Sequence, residues 1–421
     1  MYYLILMRIA ILIAFLLSFR SFAQDSLRIS LRQADSLFVT NNLILLAERY
    51  RIDAAQASVI QARLWDNPTL STEWNLYNPT KKRVLDVGRG GEKIISIEQV
   101  IQTAGKRSKQ VALSLENARM TEYEFLDLLR ILKFELRSNF FDIFFLQNTL
   151  NRYQRQIETL QSTVTAFETQ YEKNNVSLRE LLRLKALLFQ LNNDKTEILF
   201  QLSEKQRSLK TLLNSNRPLS PLVNETELGH YKLASYDANS LSDLALQNRG
   251  DVKVTESIAK QAELNYQLQK SLAVPNLRLG ATYDQSGSYV NNYTGLTLGA
   301  DLPFFNKNQG NIKVAKILIE YRKGGQEQKK NAVHNEVVAA LEKVRYVENM
   351  VQSVDSKFTD QFELLNKGVL ENFQKRNLTL LEFIDLIETY SESIKELNRL
   401  KADRVGAYEE LNFTVGQELF N

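Results

Sequence analysis

The chain has 421 residues, with 53 Lys or Arg against 49 Asp or Glu, and it contains no Cys. A net charge of +4 is far from the strongly basic balance of a nucleic-acid binder, so no nucleic-acid partner is expected. The lack of Cys excludes disulfides, thiolate metal sites and a lipid-bearing Cys.

In chain order, residues 1–23 read as a signal peptide. Arg8 supplies the positive charge, and Ile9 to Leu17 is an apolar run too short for a bilayer span of about 20 residues. Ser21-Phe22-Ala23 ends in small residues suited to cleavage, leaving Gln24 first in the mature chain. Loss of Arg8 and Arg20 leaves 51 basic against 49 acidic residues, a net +2. An exported chain without Cys fits a bacterial envelope.

Ser30 caps a helix from about Leu31, with Leu31, Ala34, Leu37 and Phe38 at helical spacing. Asn41-Asn42 interrupts it, Leu43 to Leu64 continues with an Ala-rich face, and Pro68 stops it. The period then becomes two. Leu70, Thr72, Trp74 and Leu76 face one way, opposite Ser71, Glu73, Asn75 and Tyr77. After a polar loop, Ile95 and Ile97 alternate with Ser96 and Glu98. From Gly105 to the turn at Asn174-Asn175 the chain reads as one helix, about Arg107 to Lys173, and residues 107–213 hold neither Gly nor Pro. At about 1.5 Å per residue such a helix reaches about 100 Å and must pack lengthwise on others.

The same landmarks then return. Asn67-Pro68-Thr69-Leu70 recurs as Val274-Pro275-Asn276-Leu277, and Asn41 as Asn248, both at an offset of 207. Gly105 recurs as Gly310 at 205, and Asn175 to Leu182 as Asn377 to Ile384 at 202. Leu277, Leu279, Ala281 and Tyr283 oppose Arg278, Gly280, Thr282 and Asp284; Leu296, Leu298, Ala300 and Leu302 oppose Thr297, Gly299 and Asp301. A second long helix is expected from about Ile312 to Gln374, then a turn at Arg376-Asn377. Both turns use Asn, which tolerates a left-handed backbone. The unit is therefore duplicated, with a first repeat at 24–213, an inter-repeat linker at 214–240 that forms an irregular belt, and a second repeat at 241–421.

The fold class is mainly α with a small β part: a duplicated helix, β-hairpin and long helical hairpin. The strands have one apolar and one polar face. Either helices cover the apolar face, or the strands belong to a membrane barrel. Four strands cannot close a barrel, for which about eight is the small end, so chains would have to share one.

Hairpin, long helix, sharp turn and return helix, twice over behind a signal peptide, resemble the TolC-like outer-membrane efflux family over essentially the whole mature chain. The residues that carry the likeness are Asn67-Pro68-Thr69-Leu70, Val274-Pro275-Asn276-Leu277, Gly105-Lys106-Arg107 and the turn segments Val176-Ser177-Leu178 and Leu378-Thr379-Leu380. Asn248-Arg249-Gly250-Asp251 is similar to the family's Asn-Arg-Pro-Asp, with Gly for Pro. The segment Ile97 to Arg107 resembles the branch serving resistance-nodulation-division pumps, of the heavy-metal type.

The resemblance implies a homotrimer with a 12-stranded transmembrane barrel in the outer-membrane lipid bilayer and an α-helical tunnel in the periplasm. It implies a passive exit duct for heavy-metal cations or drugs, joined by a periplasmic membrane-fusion adaptor to an inner-membrane pump. Docking falls to the turns, Asn175, Val176, Ser177 and Leu178 with Asn377, Leu378, Thr379 and Leu380. Glu382 and Asp385 match acidic positions that constrict the family's periplasmic mouth; their first-copy counterparts are Glu180 and Arg183, and a solvated helix face is the alternative. Glu73, Glu98, Asp284 and Asp301 fall on the polar side of the strands, as cation-attracting lumen residues or as plain solvation. His230 and His334 have no ligand spacing, so no catalytic residue, metal or cofactor is expected. The competing reading is a periplasmic coiled-coil or adaptor protein without a pore.

Overall fold

A computed structural model describes residues 26–420 except 233–235, 288 and 355–357, so the signal-peptide reading of 1–23 lies outside the described residues. The chain forms two compact units. One takes the residues up to 44 with 130–241 and 336–421; the other takes 45–129 and 242–335. Each unit thus draws matching parts from both sequence repeats.

Chain order opens with β1 (Leu27–Ser30), α1 (Leu31–Asn41) and α2 (Leu43–Arg63). Ser30 and Gln33 cap α1 reciprocally, each side chain taking the other's backbone N–H. Strands β2 (Thr69–Trp74), β3 (Tyr77–Asn78), β4 (Arg83–Val84) and β5 (Lys93–Ile101) follow, then α3 (Lys106–Glu172) and α4 (Leu178–Leu212). At 67 residues, α3 matches its expected span. Leu76 lies beyond the end of β2, and β3 and β4 form a small hairpin inside what reads as a plain loop.

The linker is not an irregular belt. It holds β6 (Leu219–Leu222) and a short α5 (Glu225–Leu228). β6 pairs in parallel with β1, Leu27 opposite Leu219. Both strands need partners for their backbone groups. Then come α6 (Ala238–Asn248), α7 (Gly250–Leu272), β7 (Leu277–Asp284) and β8 (Tyr293–Ala300). Gly250 opens α7 where a Cβ would lie 2.6 Å from the Tyr123 carbonyl oxygen and 2.7 Å from the Asp127 nitrogen. Only Gly permits that approach.

The second long helix departs from expectation. It is α8 (Gln309–Ser353) followed by α9 (Phe358–Gln374), not one helix. The first piece ends at Ser353, where Val351, Ser353 and Val354 are weak helix formers that lose side-chain freedom or favour local hydrogen bonds. The last element is α10 (Leu380–Val415), closed by Gly416 in a left-handed conformation.

Among the described residues of the first unit, a core of Tyr153, Ile157, Leu160 and Val164 from α3 meets Leu181, Leu184, Leu187 and Leu191 from α4, with Val369 of α9 and Phe383 and Ile387 of α10. Elsewhere in this unit, buried Arg137 bonds Asp35 at 2.8 Å and Glu418 at 3.1 Å, with Glu409 at 3.5 Å. In the second unit, Asp251 takes Arg249 at 2.7 Å and Lys329 at 2.5 Å. Burial works against that carboxylate, but hydrogen bonds from Arg249 and Lys329 outweigh it and hold its pKa well below the usual range.

Candidate functional site

The second unit holds a four-stranded antiparallel sheet in the order β2-β5-β7-β8. Pairing sets each residue beside partners on the same face. Leu70 faces Ile97, Ile97 faces Ala281 and Ala281 faces Leu296, one apolar row through all four strands. A second row runs Gln99, Leu279, Leu298. Among the described residues nothing covers this face: Leu296 is 91% exposed, Leu298 73% and Leu70 67%. The helix-covered sheet, one of the two sequence alternatives, is therefore excluded.

The other face carries the polar row Ser71, Ser96, Thr282, Gly295, with the Ser96 and Thr282 hydroxyls 3.0 Å apart. Glu73 and Asp284 flank Ile94 in the next row, and Glu98 lies between Thr69 and Gly280. Three of the four carboxylates expected in a lumen thus share a face. Asp301 follows β8 and is engaged by Arg278. Each edge strand, β2 and β8, has one neighbour among the described residues. The strand-to-helix junction joins two of the repeated landmarks: Lys106 Nζ donates to the Val274 carbonyl and to Asn276 Oδ1, both at 2.5 Å.

The first unit holds two helix reversals that match bond for bond. At the end of α3, the Asn175 N–H donates to the Gln170 carbonyl at 2.9 Å and the Asn174 N–H to that of Tyr171 at 2.8 Å. At the end of α9, Asn377 donates to Asn372 at 2.8 Å and Arg376 to Phe373 at 3.0 Å. Each pair is a Schellman closure. Its left-handed residue is Asn174 in one copy and Arg376 in the other, so the second turn does not use Asn there as expected. The Asn175 and Asn377 side chains bond those of Gln170 and Asn372 instead.

Each return helix begins with a capping box. Glu180 accepts from the Ser177 N–H and hydroxyl at 2.8 and 2.7 Å, and Glu382 accepts from those of Thr379, both at 2.8 Å. These bonds, backbone N–H first, hold both carboxyls below the ordinary glutamate range. Glu180 and Glu382 are thus occupied by helix starts, whereas Asp385 and Arg183 are exposed on the first turns beyond, with no ion-pair partner among the described residues. Leu378 and Leu380 lean on the core, and Val176 is half-buried. The apolar groups that face outward are Leu178, Leu182 and Leu381, of which sequence reading singled out only Leu178. Phe373 stacks between Phe167 and Phe383 at 5.6 and 4.2 Å, tying the two reversals together.

Among the described residues no group of three His, Asp or Glu is placed to hold a metal ion, and no helix is long and apolar enough to cross a membrane. No family model matches the chain, and no curated protein matches it by sequence. Solved structures do. CusC, studied for the conformational changes of folding and transmembrane channel formation, aligns with a TM-score of 0.74 at 17% identity over 92% of each chain. The Campylobacter jejuni CmeC outer membrane channel aligns with a TM-score of 0.74 at 14% identity, over 93% of this chain and 87% of that one. The open state of the Neisseria gonorrhoeae MtrE outer membrane channel gives 0.70 at 14%, over 93% and 89%. The fold is that of the TolC-like outer-membrane channels. In this TolC-like fold the apolar sheet face is left uncovered among the described residues, and the paired reversals turn Leu178, Leu182 and Leu381 outward.

Proposed function

We propose that the chain is the outer-membrane exit duct of a tripartite efflux system. Three copies close a barrel of 12 strands, β8 of one against β2 of the next, with the apolar face in lipid and the polar face lining the pore. The observation that carries this reading is the uncovered apolar row through Leu70, Ile97, Ala281 and Leu296, bounded by two unpaired edges. In water such a sheet would aggregate; in a closed barrel its edges vanish and the face meets hydrocarbon. Exposed Trp74 and Tyr77 near one end of the strands and Phe304 and Phe305 beyond the other suit the two membrane interfaces.

The remaining roles belong to the same reading. The reversals dock a periplasmic adaptor through Val176 to Leu178 and Leu378 to Leu380, extended by Leu182 and Leu381. Asp385 and Arg183, beside the capped Glu180 and Glu382, narrow the periplasmic mouth. Glu73, Glu98, Asp284 and Asp301 give the lumen a cation preference. An inner-membrane resistance-nodulation-division pump delivers heavy-metal cations or drugs to the duct, and the chain itself catalyses nothing.

The test is fractionation with the native oligomer kept intact. The protein should sediment with the outer membrane and run as a heat-resistant trimer in mild detergent. A soluble periplasmic monomer would instead be a pore-free scaffold.

A further inference from the structure

A cleft of about 470 Å³ opens in the second unit where α2 ends and α3 begins. Arg63, Trp65, Gln102, Gly105, Arg107 and Ser108 line it. Its lining holds two guanidinium groups and no carboxylate. The Arg107 guanidinium carbon lies over the Trp65 ring, 3.6 Å from its centroid. Stacking fixes the plane of the group and leaves its edge N–H donors free for an anion. Neither Arg63 nor Arg107 has an ion-pair partner among the described residues. Two guanidinium groups without an acidic partner thus line one cavity, and the guanidinium fork matches phosphate oxygens.

Gln102 adds a second requirement. Its Nε2 donates to Asp66 Oδ2 at 3.0 Å, which turns Oε1 the other way. That oxygen is buried and has no hydrogen-bond partner. A lone buried acceptor calls for a donor. The ligand should therefore carry an anion and, close by, an N–H or O–H group. The cleft also adjoins the end of the sheet: Trp65 precedes β2 by four residues and Gln102 directly follows β5.

We propose that this cleft binds the headgroup of a phospholipid that carries a donor, such as an ethanolamine or glycerol headgroup. The phosphodiester lies against Arg63 and Arg107, the headgroup donor bonds Gln102 Oε1, and the acyl chains run along the apolar face from Leu70. The assignment rests on the membrane reading of the sheet.

The experiment uses the detergent-purified full-length protein with Trp74→Phe, so that Trp65 is the remaining tryptophan. Its fluorescence is titrated with dihexanoyl phosphatidylethanolamine, dihexanoyl phosphatidylcholine and inorganic phosphate. The ethanolamine lipid should give a saturable change, binding roughly 5-fold tighter than the choline lipid, which has no headgroup donor, and roughly 10-fold tighter than free phosphate. Arg63→Gln should weaken it by about 10-fold, the worth of one charge-assisted bond. Arg63 is exposed, so that variant keeps its fold, checked by the heat-resistant oligomer. Equal binding of inorganic phosphate would make this a free-anion site and overturn the proposal, as would unchanged binding by Arg63→Gln. A wild-type protein in the outer membrane without saturable binding overturns this inference alone; one in the soluble fraction overturns the membrane reading with it.

Discussion

Asn174 and Arg376 stand 202 residues apart and hold the same left-handed backbone, φ 57° and 61°. Each closes a helix and is followed three residues later by the Ser or Thr that starts the next one. The geometry of the reversal is thus kept while the residue best suited to it is present in only one copy. For Arg the left-handed region costs about 1–2 kcal/mol, while Asn tolerates it. Arg376→Gly should accordingly stabilise the protein by about 1 kcal/mol, and Asn174→Gly should be close to neutral. Chemical denaturation of both variants checks this.

On the uncovered sheet face, Leu298→Arg should cost about 2–4 kcal/mol in a membrane-embedded barrel, whereas Thr297→Arg, on the polar face, should be mild. Yield of the heat-resistant oligomer from the membrane fraction measures the difference. Equal effects at these adjacent positions would remove the distinction between a lipid side and a lumen side.

The mouth residues separate by role. Asp385→Ala and Arg183→Ala should each raise single-channel conductance in a planar bilayer, and Asp385→Ala should also weaken block by divalent cations. Glu382→Gln keeps an acceptor for the Thr379 N–H and should leave conductance unchanged. A conductance change in Glu382→Gln equal to that of Asp385→Ala would assign the glutamate to the gate as well as the cap.

Docking should depend on the outward-facing apolar groups. Leu178→Asp with Leu381→Asp should abolish efflux while leaving trimers in the outer membrane, since both side chains are exposed and add little to the core. Resistance assays paired with membrane fractionation report the two effects separately.

Acid should weaken the protein through three depressed carboxyls, Asp251, Glu180 and Glu382. A group whose folded pKa lies below its unfolded value adds stability above the unfolded pKa, and loses it as pH falls through the folded one. The unfolded values are 3.8 for Asp and 4.5 for Glu, so stability should be level at neutral pH and decline below about pH 4. Asp251→Asn should lower stability at pH 7 and flatten that decline, which denaturant titrations at pH 7 and pH 3 resolve.

Periodicity and punctuation in the chain were sufficient to place α1, α2, the four sheet strands and α3, because each is specified by residues within a few positions of one another. The capping of Glu180 and Glu382 is written in Ser177-Leu178-Arg179-Glu180 and Thr379-Leu380-Leu381-Glu382, whose spacing is a capping signature. The matched reversals were legible as a repeat at an offset of 202. Three things were decided by tertiary structure. The parallel pairing of β1 with β6 joins segments 192 residues apart, Leu27 with Leu219, and no local pattern names the partner. The end of α8 at Ser353 falls beside weak helix formers, Val351 and Val354, that packing could have overridden, as propensity is only a weak prior. The register of β5 on β7 unites the two hairpins into one uncovered face, and the cleft at Arg63 and Arg107 exists because the end of α2 returns beside the start of α3. Local signals choose an element; which elements share a surface depends on long-range burial and on which backbone groups still need a partner.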